Sequence, residues 1–133
     1  MRDNFSIGEL GRLAGCQVVT IRYYEKIGIL PEPDRSAGGH RVYSGAHRER
    51  LTFIRKAREL GFTLDTVRSL LSLSERPESA PCADVDRIAV QHLAEVRGKI
   101  ADLRLLEATL ERMLDVCGHT TVEECRVLDA LRE

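Results

Sequence analysis

The chain has 133 residues, a formal net charge of −1 at neutral pH, 43% hydrophobic residues and 31% charged residues. This length predicts one domain, or one small domain with an extension, and the composition excludes the disordered and fibrous classes. The apolar runs are too short for a membrane span, and the acidic Asp3 stands where a signal peptide would begin its apolar stretch. We therefore expect a cytoplasmic protein that is neither exported nor bound to a membrane.

Charge and cysteines are distributed unevenly along the chain. Residues 1–70 carry 12 Lys and Arg against 8 Asp and Glu, whereas residues 71–133 carry 8 against 13. A basic first half indicates an anionic partner, although chance fluctuation over short windows gives the same asymmetry. The four cysteines include no Cys-x-x-Cys pair and do not resemble the disulfide framework of a small secreted protein.

A pair of short helices opens the chain. Ser6 and Glu9 form a capping-box pattern that predicts a helix ending at Gly15, and a second helix follows, ending near Gly28. Two short helices joined by a Gly-containing turn predict a helix-turn-helix, whose second helix enters the DNA major groove. Its polar side chains suit phosphates and base edges, with one of the two tyrosines expected in the core instead. These side chains are Thr20, Arg22, Tyr23, Tyr24 and Lys26.

A basic hairpin follows between Leu30 and Tyr43, hereafter called the wing. Its prolines exclude a helix, and Gly38-Gly39 between short flanks predicts a hairpin turn. Arg35, His40 and Arg41 surround the turn, and such cations supply salt-sensitive, sequence-independent affinity for the DNA backbone.

Two further helices complete a mainly α winged helix-turn-helix domain over residues 1–73. The first, over about 45–60 and capped by Ser44, is expected to bury Leu51, Ile54 and Leu60 and to leave its cations largely outside. Those cations are Arg48, Arg50, Arg55, Lys56 and Arg58. The second runs from about Leu64 to Leu73, with its apolar residues facing the core.

A long helix is predicted over residues 83–114, after a proline-containing linker over residues 74–82. Its apolar residues recur with the mean spacing of 3.5 that is typical of a coiled-coil seam. The seam comprises Val85, Ala89, His92, Val96, Ile100, Leu103, Leu106, Leu110 and Met113. A helix of this length extends roughly 48 Å. We expect it to pair with a second copy in an antiparallel homodimer; the alternative is packing of the seam on the first domain.

Three cysteines flank this helix. Cys82 precedes it and Cys117 follows it, 35 residues later, so the two thiols of one chain lie too far apart to share an ion. In an antiparallel dimer, Cys82 of one chain meets Cys117 of the other, and a turn within residues 115–133 would bring Cys125 beside Cys117. Two three-thiolate sites would then form per dimer, each suited to one soft divalent ion, with His119 or water as a fourth ligand. The alternative treats each thiol as a small buried hydrophobe, which is our interpretation of Cys16.

Four segments in the first half resemble the MerR family of transcriptional regulators: residues 6–10, 20–25, 39–43 and 55–64. The resemblance implies a winged helix-turn-helix that contacts double-stranded operator DNA. The residues that it assigns to this contact are Arg22, Tyr23, Tyr24, Arg41 and Tyr43, with Arg58 as an addition.

The cysteine pattern resembles the branch of that family that senses divalent heavy metals such as mercury, lead, cadmium or zinc. The copper(I)-sensing branch typically has serine at the position of Cys82, and zinc sensors often carry two adjacent cysteines where this chain has Cys117 and Gly118. The resemblance implies that the dimer represses a metal-resistance promoter without metal and activates it with metal. Activation in that family distorts the DNA, so that RNA polymerase responds indirectly to realigned promoter elements.

Two other function classes fit the sequence less well. A redox or small-molecule sensor on the same DNA-binding frame requires a reactive thiol or an apolar pocket, and aromatic residues make up only 5% of the chain. An enzyme with a cysteine nucleophile requires a His or Asp partner in a cleft, and no nucleotide fingerprint or nucleophile motif is present. We expect no enzyme.

Overall fold

The computed structural model describes residues 4–115, 121 and 125–132, with only the backbone of Arg126. Its mainly helical architecture confirms the predicted fold class. The elements are α1 (Ile7–Ala14), α2 (Val18–Lys26), β1 (Asp34–Arg35), β2 (Arg41–Val42), α3 (Gly45–Glu59), α4 (Leu64–Ser74), α5 (Cys82–Asp115) and α6 (Arg126–Arg132). The chain divides into two compact units, Met1–Val85 and Asp86–Glu133. The division into four functional segments stays a prediction.

Local sequence signals fix the ends of α1. The Ser6 hydroxyl accepts a hydrogen bond from the Glu9 amide at 3.2 Å, and the Glu9 carboxylate accepts one from the Ser6 amide at 3.3 Å. Gly15 ends the helix in the left-handed conformation, with φ of 71°. The predicted capping box and glycine stop are therefore confirmed.

The core of the first unit lies between Phe5 and Leu71 and draws on α1 to α4 and the residue after β2. Its fully buried large side chains are Leu10, Ile21, Ile29, Leu30, Tyr43, Leu51, Ile54 and Val67. One core prediction is wrong: Leu60 is 67% exposed. The chain turns at Gly61, where φ is 89°, and Phe62 packs against the core instead.

Arginine side chains tie the helices of the first unit together. Arg55 donates to the carbonyl of Ala14 at 2.6 Å, Arg50 donates to that of Ile29 at 2.7 Å, and Arg68 donates to that of Ile27. The last carbonyls of a helix lack intrahelical partners, so these bonds satisfy groups at or just beyond the ends of α1 and α2. The expectation that Arg50 and Arg55 lie largely outside is therefore wrong: their side chains are only 27% and 30% exposed.

The wing is a short antiparallel hairpin, as predicted. Asp34 pairs with Val42, and Arg35 pairs with Arg41. The turn is closed by a hydrogen bond from the Gly39 amide to the Ser36 carbonyl at 2.9 Å, and Gly39 has φ of 80°. Only a residue without Cβ adopts this φ without strain.

Helix α5 runs without interruption for 34 residues, one residue longer at each end than predicted. It buries none of its side chains within the single chain. Its exposed large apolar residues are Val85, Val90, Leu93, Ile100, Leu103, Leu105, Leu106, Leu110 and Leu114. Among the helices of the described residues, none has the length and apolarity of a membrane span.

Two glycines of α1 offer a matched test of this packing. A Cβ added at Gly11 would lie 2.6 Å from the backbone oxygen of Cys16, whereas one at Gly8 would have Ser6 Oγ as its nearest neighbour, at 4.0 Å. We expect Gly11→Ala to lower the free energy of unfolding by about 1–3 kcal/mol through overpacking. Gly8→Ala should raise it by up to about 1 kcal/mol, because alanine favours the helix. Urea unfolding at one protein concentration measures both, and equal effects would contradict the packing.

Candidate functional site

Helix α2 divides its side chains between the core and the surface. Ile21 and Tyr24 are buried, whereas Arg22 and Lys26 are exposed and Thr20 is half-buried. Tyr23 is 50% exposed and Tyr24 only 8%. The expectation that one of the two tyrosines belongs to the core is thus confirmed, and the residue is Tyr24.

The exposed side of α2 and the wing line a shared groove, hereafter called the basic groove. One pocket of about 210 Å³ is lined by Arg22, Lys26, Arg35 and Arg41, and also by the acidic residues Glu25 and Glu32. An adjoining pocket of about 390 Å³ is lined again by the three arginines, and by His40. The structure therefore brings together four arginine and lysine side chains that are separated by up to 19 positions in the sequence. Such a surface attracts anions.

Tyr43 does not lie on this surface. Its side chain is fully buried, and its hydroxyl donates a hydrogen bond to Glu25 Oε1 at 2.9 Å. Burial and this carboxylate raise the pKa of Tyr43 to about 12, against the opposing effect of Arg41 and Arg22. The prediction that Tyr43 contacts DNA directly is wrong, because its ring is buried in the hydrophobic core.

Tyr24 and Arg58 also have intramolecular roles. Burial raises the pKa of Tyr24, and a hydrogen bond from Arg58 partly offsets that rise. Arg58 also donates to the carbonyl of Phe62 at 2.7 Å, although its side chain is exposed. Tyr24 is thus corrected to a core residue, while a DNA contact by Arg58 stays a prediction.

Glu25 is the residue of the basic groove that the sequence analysis overlooked. It lies three positions after Arg22 on α2 and 18 positions before its partner Tyr43. A pattern over neighbouring residues cannot reveal a hydrogen bond of that separation. The only sequence signal is an acidic residue at the helical spacing that places it near Arg22.

The candidate metal ligands are only partly within the described residues. Cys82 is the exposed first residue of α5, and Cys125 is half-buried directly before α6. Cys117 and His119 lie outside the described residues. Among the residues that are described, no three His, Cys, Asp or Glu side chains are close enough together to hold a metal ion.

The length of α5 sets a limit on any site that includes Cys82. An uninterrupted helix of 34 residues extends roughly 50 Å. Cys82 therefore cannot meet a thiol that directly follows the other end of the same helix. A site that joins Cys82 to a thiol beyond that end would need ligands from two chains, and it stays a prediction.

Cys82 also borders an apolar cavity of about 260 Å³ within the first unit. Side chains of Phe53, Leu70, Leu73 and Val85 line this cavity together with prolines of the preceding linker. The sulfur of a cysteine thiolate suits a soft cation rather than Mg²⁺ or Ca²⁺, which require oxygen ligands.

Comparison with known proteins identifies the family. Residues 5–74 match the family described as "MerR HTH family regulatory protein", and residues 48–113 match the one described as "MerR, DNA binding". The chain belongs to the MerR family. Members of this family are transcriptional regulators and not enzymes.

Several MerR-family relatives match almost the whole chain. The transcriptional regulator ZntR of Escherichia coli K12 is 39% identical over 97% of this chain and 93% of its own length. The regulator PbrR691 of Ralstonia metallidurans CH34, crystallised with lead(II), is 45% identical with a TM-score of 0.82, covering 96% of this chain and 98% of that one. MerR of Bacillus megaterium MB1, crystallised with mercury(II), is 32% identical with a TM-score of 0.73, covering 97% and 100%.

The raised pKa of Tyr43 predicts that the folded protein loses stability at alkaline pH. The folded state keeps this phenol protonated up to about pH 12, while the unfolded chain ionises it near the ordinary value of 10.0. The free energy of unfolding should therefore fall as pH rises through this window. Tyr43→Phe should reduce the fall, whereas Tyr23→Phe, at an exposed ring, should leave it intact. Urea unfolding across the window measures this, and parallel curves for Tyr43→Phe and wild type would contradict it.

Proposed function

We propose that this chain is a metal-responsive transcriptional regulator that binds double-stranded promoter DNA as a homodimer. The observation that carries the proposal is the basic groove, in which the cations of α2 and of the wing face one surface. A short helix beside a basic hairpin suits a duplex, because the helix enters the major groove while the hairpin contacts the adjacent backbone.

Dimer formation is supported by the apolar surface of α5. This helix buries no side chain within one chain, although five large apolar residues of the predicted seam are exposed on it: Val85, Ile100, Leu103, Leu106 and Leu110. Exposed apolar surface of this extent marks an interaction site. A second copy packed antiparallel would cover the seam and place one DNA-binding unit at each end.

The effector is a soft divalent metal ion: mercury, lead, cadmium or zinc. Cys82 of one chain, with Cys117 and Cys125 of the other and His119 or water, would hold one ion at each of two sites per dimer. Relatives crystallised with lead(II) and mercury(II) support this chemistry. Bound metal favours the dimer arrangement for which it has the higher affinity. The dimer represses a metal-resistance promoter without metal and activates it with metal. Activation distorts the promoter DNA, and RNA polymerase responds indirectly to the realigned promoter elements.

A redox sensor on the same frame is less well supported. Cys16, in the turn of the helix-turn-helix, is half-buried, and desolvation raises the pKa of its thiol despite the nearby Arg55. The thiolate is the reactive form of cysteine, so this environment disfavours oxidation chemistry. Cys16 therefore fits its interpretation as a small packed side chain.

The basic groove predicts a specific loss of DNA affinity. The probe is a duplex selected from a random-sequence library with the wild-type protein, hereafter the selected duplex. Arg22→Ala should weaken binding about tenfold and reduce the slope of log Kd against log salt by about 1, the value for one lost phosphate contact. Arg97→Ala, which removes the same charge from an exposed position of α5, is the matched control. Equal effects of the two substitutions would refute the assigned surface.

The shared metal site predicts a characteristic result in mixed dimers. A dimer with Cys82→Ser on one chain and Cys117→Ser on the other loses both ligands from the same shared site, so one cadmium ion should still bind. A dimer with both substitutions on one chain loses a ligand from each shared site and should bind none. If each site lay within a single chain, the first mixed dimer would bind no cadmium and the second would bind one ion.

Cadmium stoichiometry by equilibrium dialysis and the thiolate-to-cadmium absorption band measure both mixed dimers. Cys16→Ser is the control and should retain two ions per dimer. Homodimers of Cys82→Ser, Cys117→Ser or Cys125→Ser should lose the metal response while still binding the selected duplex; retained response in all three would refute the site.

A further inference from the structure

A side-chain hydrogen bond connects the end of the wing to α2. The hydroxyl of Tyr43, the residue directly after β2, donates to Glu25 Oε1 at 2.9 Å. Because the ring of Tyr43 is fully buried, it cannot change rotamer without opening the core. The end of the wing is therefore held at a fixed distance from α2.

The backbone of Tyr43 is anchored as well. Its amide donates to the carbonyl of Phe5 at 2.8 Å, and the amide of Phe5 donates to the carbonyl of Tyr43 at the same distance. The backbone pair and the side-chain bond hold this residue from two directions. Each strand of the wing has only two residues, and a ribbon of that size is marginally stable by itself. The orientation of the wing thus depends on contacts outside the ribbon.

Glu25 stands among the cations that face the proposed DNA. It lines the same pocket as Arg22 and Lys26 of α2 and Arg35 and Arg41 of the wing. A carboxylate there repels phosphate, so electrostatics alone disfavours it at this position. Its bond to Tyr43 supplies a compensating role, because Glu25 accepts a hydrogen bond from the hydroxyl at the end of the wing.

We propose that Glu25 is a positioning residue of the DNA interface, which acts through Tyr43 to hold the wing cations in register with α2. This inference rests on the proposed DNA-binding function. According to this inference, the acidic residue Glu25 strengthens the binding of DNA, which is itself an anion. Neither the charge of Glu25 nor its exposure predicts this effect.

Two matched comparisons isolate the hydrogen bond in the full-length protein with the selected duplex. Tyr43→Phe keeps the buried ring and removes the hydroxyl. Glu25→Gln and Glu25→Ala have the same charge, but only the glutamine keeps an acceptor. We expect Tyr43→Phe to bind about 3- to 10-fold more weakly than wild type, and Glu25→Ala to bind more weakly than Glu25→Gln by a similar factor. In both weakened variants the salt slope should fall by about 1 or more, as wing contacts to phosphate are lost.

A merely structural role for the bond would lower the unfolding temperature and leave the salt slope unchanged. The inference further predicts that the effect of Tyr43→Phe shrinks to within about twofold when the wing already carries Arg35→Ala and Arg41→Ala, because the two changes then remove the same contacts. Additive effects would overturn it.

The outcome for Arg22→Ala distinguishes a failure of the positioning role from a failure of the proposed DNA-binding function. If Arg22→Ala weakens binding while Tyr43→Phe and the Glu25 pair leave affinity and slope unchanged, the positioning role is refuted and the proposed function stands. If Arg22→Ala is also without effect, the proposed DNA surface itself is refuted.

Discussion

The stiffness of α5 is the constraint on which the proposed assembly depends. A continuous helix of 34 residues separates its ends by roughly 50 Å, and this one starts at Cys82. Thiols beyond its two ends can share an ion only if two chains contribute them. The same helix buries no side chain by itself, and its exposed apolar residues favour packing against a second chain. The proposed metal site depends on the proposed dimer, whereas the dimer is also supported by the apolar residues alone.

Positive charge in the first unit serves two separate purposes. Arg50, Arg55 and Arg68 direct their guanidinium groups at backbone carbonyls where α1 and α2 end, and so stabilise the packing of four helices. Arg22 and Arg41 instead face the basic groove. All of them are arginines in a basic segment, and composition alone does not separate them. A charge count over residues 1–70 therefore overestimates the part of the surface that is available to DNA.

Sequence reasoning succeeded where the signal is local. The capping box at Ser6, the glycine turn at Gly39 and the continuous helix α5 each depend on residues close in the chain. It failed where the outcome depends on distant partners. Tyr43 follows a basic strand and has a polar hydroxyl, yet its ring is buried. Its backbone pairs with that of Phe5, 38 positions away, and its hydroxyl donates a hydrogen bond to Glu25, 18 positions away. The thiols of the proposed metal site stay a prediction, because Cys117 lies outside the described residues and no three potential ligands cluster among those that are described.

The bond between Tyr43 and Glu25 also bears on how metal would alter DNA binding. It fastens the wing to α2, and α2 in turn contributes Ile21 and Tyr24 to the core. The two elements proposed to contact DNA thus belong to one packed body, which resists internal rearrangement. On the proposed function, an ion held at the thiols acts on the dimer by favouring one arrangement of two such bodies over another. The DNA-binding unit then keeps its shape, and the proposed regulator can remain on its promoter both with and without metal.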